Sequence, residues 1–339
     1  MLKSKSIIPH DRPVYREVLP QALKTAWRNP LLWIFGIFAA VLNSGGALDA
    51  CWKFFNSIQT QGSDIFIGQT VVQIWHVGWI GGFHLLPFFQ ALLAIFSLTV
   101  IFLAVLAFSC IGQGVIIQSV GSGKDGSLGR IKKAMLVSGR ALLPIAVLNV
   151  IIIAAIWLTR FLVSLPLAMV LGRDSGLRLA IYLVSFIVFF VLAFFLSILQ
   201  IYALNAMMSQ GATLAQAFGR AWQVIKQHWL VTIETAILQA LIIVVATIAA
   251  LIALMILIFP PAVLYVLALF RQNFALFQLS SGIFAVIIVV FLVAYTGFTV
   301  TFQYALWTHM YRKFGEGGVM PKLHRLFRFA AHKTDVPQS

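Results

Sequence analysis

The sequence is poor in charge and poorer still in acid: nine Asp and Glu stand against 24 Lys and Arg in 339 residues, and charged residues of both signs make up only 10%. So few carboxylates leave general acid–base catalysis with few participants, and no two of them pair beside a histidine. The chain also lacks a G-x-x-x-x-G-K-S/T loop, an H-E-x-x-H helix and a G-x-S-x-G elbow, so no hydrolase or ATPase constellation can be drawn. Gly121-Ser122-Gly123-Lys124 comes nearest to a phosphate loop but is missing the upstream glycine and the final Ser or Thr. Two cysteines cannot staple a secreted scaffold; Cys51 follows a glycine-rich turn and Cys110 lies in an apolar run. His76 and His84 have no Cys or carboxylate at ligand spacing, and with Trp75 and Trp79 they read better as an aromatic belt than as a metal site. The expectation is a protein that is not an enzyme, with no catalytic residue, no metal and no cofactor.

What the chain has in abundance is hydrocarbon: 61% of its residues are hydrophobic. A bilayer core about 30 Å thick takes about 20 apolar helical residues, because lipid offers backbone amides no partner and a helix satisfies its own. Six runs qualify: Leu31 to Ala50, Leu85 to Ile111, Ala141 to Leu158, Leu177 to Leu204, Leu230 to Ile258 and Ile283 to Leu306. The first is diluted by Asn43, Ser44, Gly45 and Gly46 and could be mistaken for a signal peptide ending near Ala47 or Ala50. The residues before it are too many for a simple n-region and hold an amphipathic helix, which favours a retained span. Pro260-Pro261 predicts the end of the fifth span, leaving Ala262 to Phe270 to lie along or dip into the outer surface.

The cations assign the sides. Lys3, Lys5, Arg12, Arg16, Lys24 and Arg28 precede the first span, and Lys124, Arg130, Lys132, Lys133 and Arg140 separate the second from the third. Arg220 and Lys226 lie between the fourth and fifth, and Arg312, Lys313, Lys322, Arg325, Arg328 and Lys333 follow the sixth, so 19 of 24 share one side. The other side holds Lys53, Arg173, Arg178 and Arg271, with Arg160 near it. By the positive-inside rule both termini are cytoplasmic, in a multi-pass cell-membrane protein. The net charge of +15 sits in short clusters, unlike a nucleic-acid-binding face, and the partner it implies is anionic lipid. A membrane-protein partner is a further expectation.

An internal repeat is visible. Gln21-Ala22-Leu23-Lys24-Thr25-Ala26-Trp27-Arg28 parallels Gln216-Ala217-Phe218-Gly219-Arg220-Ala221-Trp222-Gln223, and each leads through Trp33 or Trp229 into a span. Arg130 to Met135 is a degenerate third copy. In the first, Leu19, Ala22, Leu23, Ala26 and Trp27 recur at helical spacing opposite Arg16, Lys24 and Arg28. In the other full copy Leu214, Ala217, Phe218, Ala221, Trp222 and Ile225 oppose Arg220 and Lys226, and a closing helix sets Leu323, Leu326 and Phe327 against Arg325 and Arg328. The fold class expected is all-α: six transmembrane helices in three hairpin repeats, each preceded by a cytoplasmic amphipathic helix. A cytoplasmic tail covers 1–13, a single membrane domain 14–320 with repeats at about 14–120, 121–210 and 211–320, and a basic amphipathic segment 321–339. Gly121, Gly211 and Gly315 supply helix stops, while Ser127 and Thr213 suit N-caps.

Lys24, Arg28, Lys132, Lys133, Arg220, Lys226, Arg325 and Arg328 are therefore the candidate headgroup-binding residues, each worth about 1 kcal/mol near an anionic leaflet. The same cations would also serve simply to brace the spans. Polar side chains inside a span are costly and are functional candidates by default. They are Asn149, Arg160, Glu234, Gln239 and Gln303, with Asn205 and His309 at a similar level. One reading is a polar pocket open to the cytoplasm; the other is interhelical hydrogen bonding that needs no ligand.

With A-x-x-x-A-W-R-N-P-L-L-W at Ala22 to Trp33 and A-x-x-x-A-W at Ala217 to Trp222 followed by Trp229, the chain resembles a group of prokaryotic six-span proteins. That group includes the membrane domain fused to some glycerophosphoryl diester phosphodiesterases, and stand-alone inner-membrane proteins. The resemblance runs over nearly the whole chain and implies a six-helix membrane domain. The fused enzyme's catalysis belongs to a separate soluble barrel for which this chain has no room, so the activity does not transfer. Two functions follow: a non-enzymatic organiser of lipids or partners at the cytoplasmic surface, or a transporter or lipid-handling protein with a polar path in the bundle.

Overall fold

A computed structural model describes residues 15–42, 85–121, 128–169 and 175–316, and every regular element among them is helical. The helices are α1 (Tyr15–Arg28), α2 (Leu31–Leu42), α3 (Leu85–Gly121), α4 (Leu128–Arg140), α5 (Leu142–Met169), α6 (Ser175–Gln210), α7 (Leu214–Phe270) and α8 (Phe274–Glu316). Five of them, α3 and α5 through α8, are long and apolar enough to cross a membrane. Helix α2 has 12 residues and reaches only about 18 Å at 1.5 Å per residue, short of a bilayer core. It joins α1 through a bend of 105°, and the two together form a sixth candidate. The rest of the expected first span, 43–50, lies outside the described residues, as do Trp75, His76, Trp79, His84, Ser127 and the closing segment 321–339.

Short local signals set the joints. Pro30 cannot donate to the helix before it, so α1 stops. The Leu32 and Trp33 amides then bond the Asn29 and Pro30 carbonyls at 2.9 and 3.0 Å, and the Trp33 indole donates back to the Ala26 carbonyl at 2.8 Å. Gly211, at φ +62, ends α6 in the left-handed conformation glycine adopts freely, its N–H bonding the Met207 carbonyl at 3.1 Å. Thr213 then opens α7 in extended conformation, and the Gln216 side chain accepts from its N–H at 3.4 Å. Within α7 the helix breaks once, at His228 (φ −127°, ψ 26°), separating an amphipathic stretch from an apolar one.

Pro260-Pro261 does not end a helix, contrary to the expectation from sequence: α7 runs through both to Phe270 and turns back at Arg271 to Asn273 into α8. Two missing N–H donors free only two carbonyls, and membrane helices tolerate this through local adjustment. The helix from Trp229 to Phe270 is consequently about 60 Å long at 1.5 Å per residue, and α8 is similar.

Helices α3, α6 and α8 touch one another at the centre. Helix α2 packs against α3 and α8, α5 against α3 and α6, and α7 against α6 and α8. The backbones of the first group approach through glycines. A Cβ at Gly36 would lie 2.4 Å from the Gly297 carbonyl oxygen, one at Gly297 would lie 2.6 Å from that of Trp33, and one at Gly112 would lie 2.6 Å from that of Phe35. The Thr301 hydroxyl adds a hydrogen bond to the Leu32 carbonyl at 3.1 Å. The core gathers at one end, in Cys110 to Val120, Ile198 to Met208 and Val300 to Phe314.

Candidate functional site

Helices α1 and α4 and the start of α7, the stretches expected from sequence to be amphipathic, collect at that same end. Helix α1 lies on α8, where Glu17 and Lys313 approach to 3.5 Å. Helix α4 lies on α3, with Ser138 against Gly114, and the start of α7 meets α6 through a bond from Arg220 to Gln210 at 2.6 Å. Each helix turns small residues inward: Ala22 and Ala26, Ala134 and Ser138, Ala217 and Ala221 are all buried. A small pair at i, i+4 lets a crossing helix approach closely, which is the physical content of the A-x-x-x-A pattern. The larger residues expected on the same face stand outward, with Leu23, Trp27 and Trp222 exposed. Trp27 touches Phe298 edge-on, and Trp222 touches Phe195 in the same way.

The cations line the outside of this end. Lys24, Arg28, Lys132, Lys133, Arg220 and Lys226 are exposed, and the Lys226 ammonium lies 5.5 Å from the Trp222 ring centre. Arg325 and Arg328 lie outside the described residues. Arg160 and Arg271 stand away from this end, Arg160 half-buried with its guanidinium 5.4 Å from the Trp157 ring centre.

The intramembrane candidates do not form one group. Asn149, fully buried on α5, is the hub of an amide cluster. Its Nδ2 donates to Gln113 Oε1 at 2.9 Å and to the Ile145 carbonyl at 2.9 Å, with Cys110 Sγ at 3.9 Å. Its Oδ1 accepts from Gln200 Nε2 at 2.5 Å and from Gln113 Nε2 at 3.4 Å. Gln113 is also the hydrogen-bond partner of the buried Tyr304 phenol. Four helices, α3, α5, α6 and α8, are thereby tied together about 10 to 18 Å along their axes from the basic end. Glu234, Gln239 and Gln303 are half-buried, and Gln239 Oε1 has no hydrogen bond among the described residues. Gln113 and Gln200 were missed from sequence, although an amide inside an apolar run is the signal that singled out Asn149.

A second polar contact supports the break in α7. The Thr232 hydroxyl donates to the His228 carbonyl at 2.9 Å, so the Tyr202 phenol, 3.0 Å away, must donate to Thr232. The His228 ring stacks on Phe314 with centres 4.5 Å apart and planes 2° from parallel. The sequence put a joint between Lys226 and Leu230, but not the contacts that support it. The chemistry of both clusters is structural bonding between neutral groups, and among the described residues no three His, Cys, Asp or Glu converge as a metal site.

These long apolar helices define the class as a polytopic helical membrane protein. Compared with known protein families, curated proteins and solved structures, the chain matches none.

Proposed function

We propose that this is a non-enzymatic protein of the cell membrane that organises anionic lipids, or a partner protein, at the cytoplasmic surface. Its basic end faces the cytoplasm. The observation that carries the reading is the collection of three amphipathic, cation-bearing helices at the end where α3, α6 and α8 terminate. There the alanines turn inward and the Lys and Arg side chains turn outward, among the described residues almost unaccompanied by acid. Cations so placed sit at phosphate height while Trp27 and Trp222 reach the acyl boundary.

The same reading takes the fold as six spans in three repeats. Three times along the chain a basic amphipathic helix leads through a break, at Asn29-Pro30, Ala141 or His228, into an outer helix, and an inner helix returns. Each outer helix packs between two inner ones, and each amphipathic helix lies on the inner helix behind it, a cyclic order that supports three equivalent units. The likeness to the membrane domain fused to glycerophosphoryl diester phosphodiesterases belongs to this proposal. A polar transport path is the weaker alternative, because the amides that would line it satisfy one another.

Native mass spectrometry of the detergent-released protein, loaded with equal amounts of phosphatidylglycerol and phosphatidylethanolamine, tests the reading. Preferential retention of the anionic lipid is expected. Equal retention of the two would overturn it.

A further inference from the structure

The basic surface has a concave place on α4. Between α4 and α3 lies an open groove of about 520 Å³, lined by Ile111, Lys132, Met135, Leu136, Gly139 and Arg140. Its wall is one face of α4, spaced i, i+3, i+4, i+7 and i+8, closed by a single residue of α3. The lining is mostly apolar, with a cation at each end of the α4 stripe. Lys132 and Arg140 have no ion-pair or hydrogen-bond partner among the described residues, whereas Arg220 is engaged by Gln210 and Lys226 by Trp222. Met135 and Leu136 are exposed, and beyond Ile111 the apolar flank of α3 continues through exposed Phe108.

Resting on the reading above, we infer that this groove is a seat for one anionic phospholipid of the same leaflet. Its phosphate lies between Lys132 and Arg140, and one acyl chain runs over Leu136, Met135 and Ile111 toward Phe108. Charge complementarity selects an anion. The apolar wall selects a lipid over free phosphate, which would leave Ile111, Met135 and Leu136 uncovered. Gly139 makes the seat: a Cβ there would meet nothing within 4 Å, so the groove is open where a side chain would fill it.

The test separates the seat from general surface charge. The full-length protein is stripped by detergent exchange and reloaded with phosphatidylglycerol, and native mass spectrometry then counts the lipid that survives. Wild type is expected to keep one molecule, and K132Q/R140Q to hold it about thirtyfold more weakly, from the usual contribution of two basic residues. G139L fills the groove with every charge in place and should lose the same molecule, while R271Q at the far end should keep it. A monodisperse G139L that retains lipid like wild type overturns the seat while leaving the general anionic preference standing. Loss of the bound lipid to millimolar inorganic phosphate overturns it as well. If wild type itself does not prefer anionic lipid, the failure lies instead with the proposed function.

Discussion

The two ends of this helical bundle are built differently. At the basic end, backbones cross at Gly36, Gly112 and Gly297, alanines seat three amphipathic helices, and amides bond across four helices. In the opposite half most described side chains are exposed, such as Leu93, Leu98 and Phe102 on α3 and Leu251, Met255 and Phe259 on α7. Lipid tails are as apolar as leucine, so an exposed leucine facing lipid gains little by finding another helix. Close packing and hydrogen bonding must supply the cohesion, and they are concentrated at one end. Stability should therefore be distributed just as unevenly.

The largest effect is expected at the glycine crossing. Gly36→Leu would drive a side chain into the Gly297 carbonyl, where the obstacle is backbone and cannot step aside. A loss of about 3 kcal/mol is expected, at the upper end of overpacking costs. Gly282→Leu, in the open half of α8 with nothing within 4 Å of a new Cβ, should stay within about 0.5 kcal/mol. Thermal unfolding of both variants in one detergent measures the contrast, and equal midpoints would refute it.

Next comes the amide hub. Asn149→Leu strands the side chain of Gln200 and leaves Gln113 only its bond with Tyr304, and should cost about 2 kcal/mol, the penalty for buried polar groups left without partners. Changing all three to Leu should recover part of that, since only the Tyr304 phenol is then left without its partner. If the single substitution is neutral, the cluster is not what ties the four helices. The smallest effect belongs to the border of the open half, where Thr247 and Tyr295 join α7 to α8 at 2.5 Å. Thr247→Val should cost about 0.6 kcal/mol, as is common for an interhelical hydrogen bond in lipid. A loss as large as that at Asn149 would mean that the two halves are equally cohesive.

What could be read in the sequence was whatever depends on local pattern. Run length located the long apolar helices, helical spacing pointed to helices at Tyr15–Arg28 and the start of α7, and likeness to these pointed to the one at Leu128–Arg140. Glycine chemistry placed the end of α6 at Gly211. The alanine pairs were visible too, but their role was not, since a bilayer-facing stripe and a helix-facing stripe have the same period. Pro260-Pro261 misled because the rule that prolines end helices is learned in water, where a freed carbonyl has solvent to turn to. Partnerships were the least legible: Gln113 and Gln200 lie 36 and 51 positions from Asn149, and only the packing order of α3, α5 and α6 brings them together. The break at His228 has no local breaker residue and rests on Tyr202 and Phe314, contributed by other helices.

The hairpin of α7 and α8 bears on where such a protein can reside. From Leu241 to Phe270 alone the apolar rod is about 45 Å long, half as much again as the hydrocarbon thickness of an ordinary bilayer. It cannot stand upright there without slanting, bowing or drawing the surrounding leaflets outward. Each ångström of misfit carries a cost of a fraction of a kcal/mol. Thick and thin membranes are thus unequal hosts for this chain, and its own dimensions bias it toward the thicker.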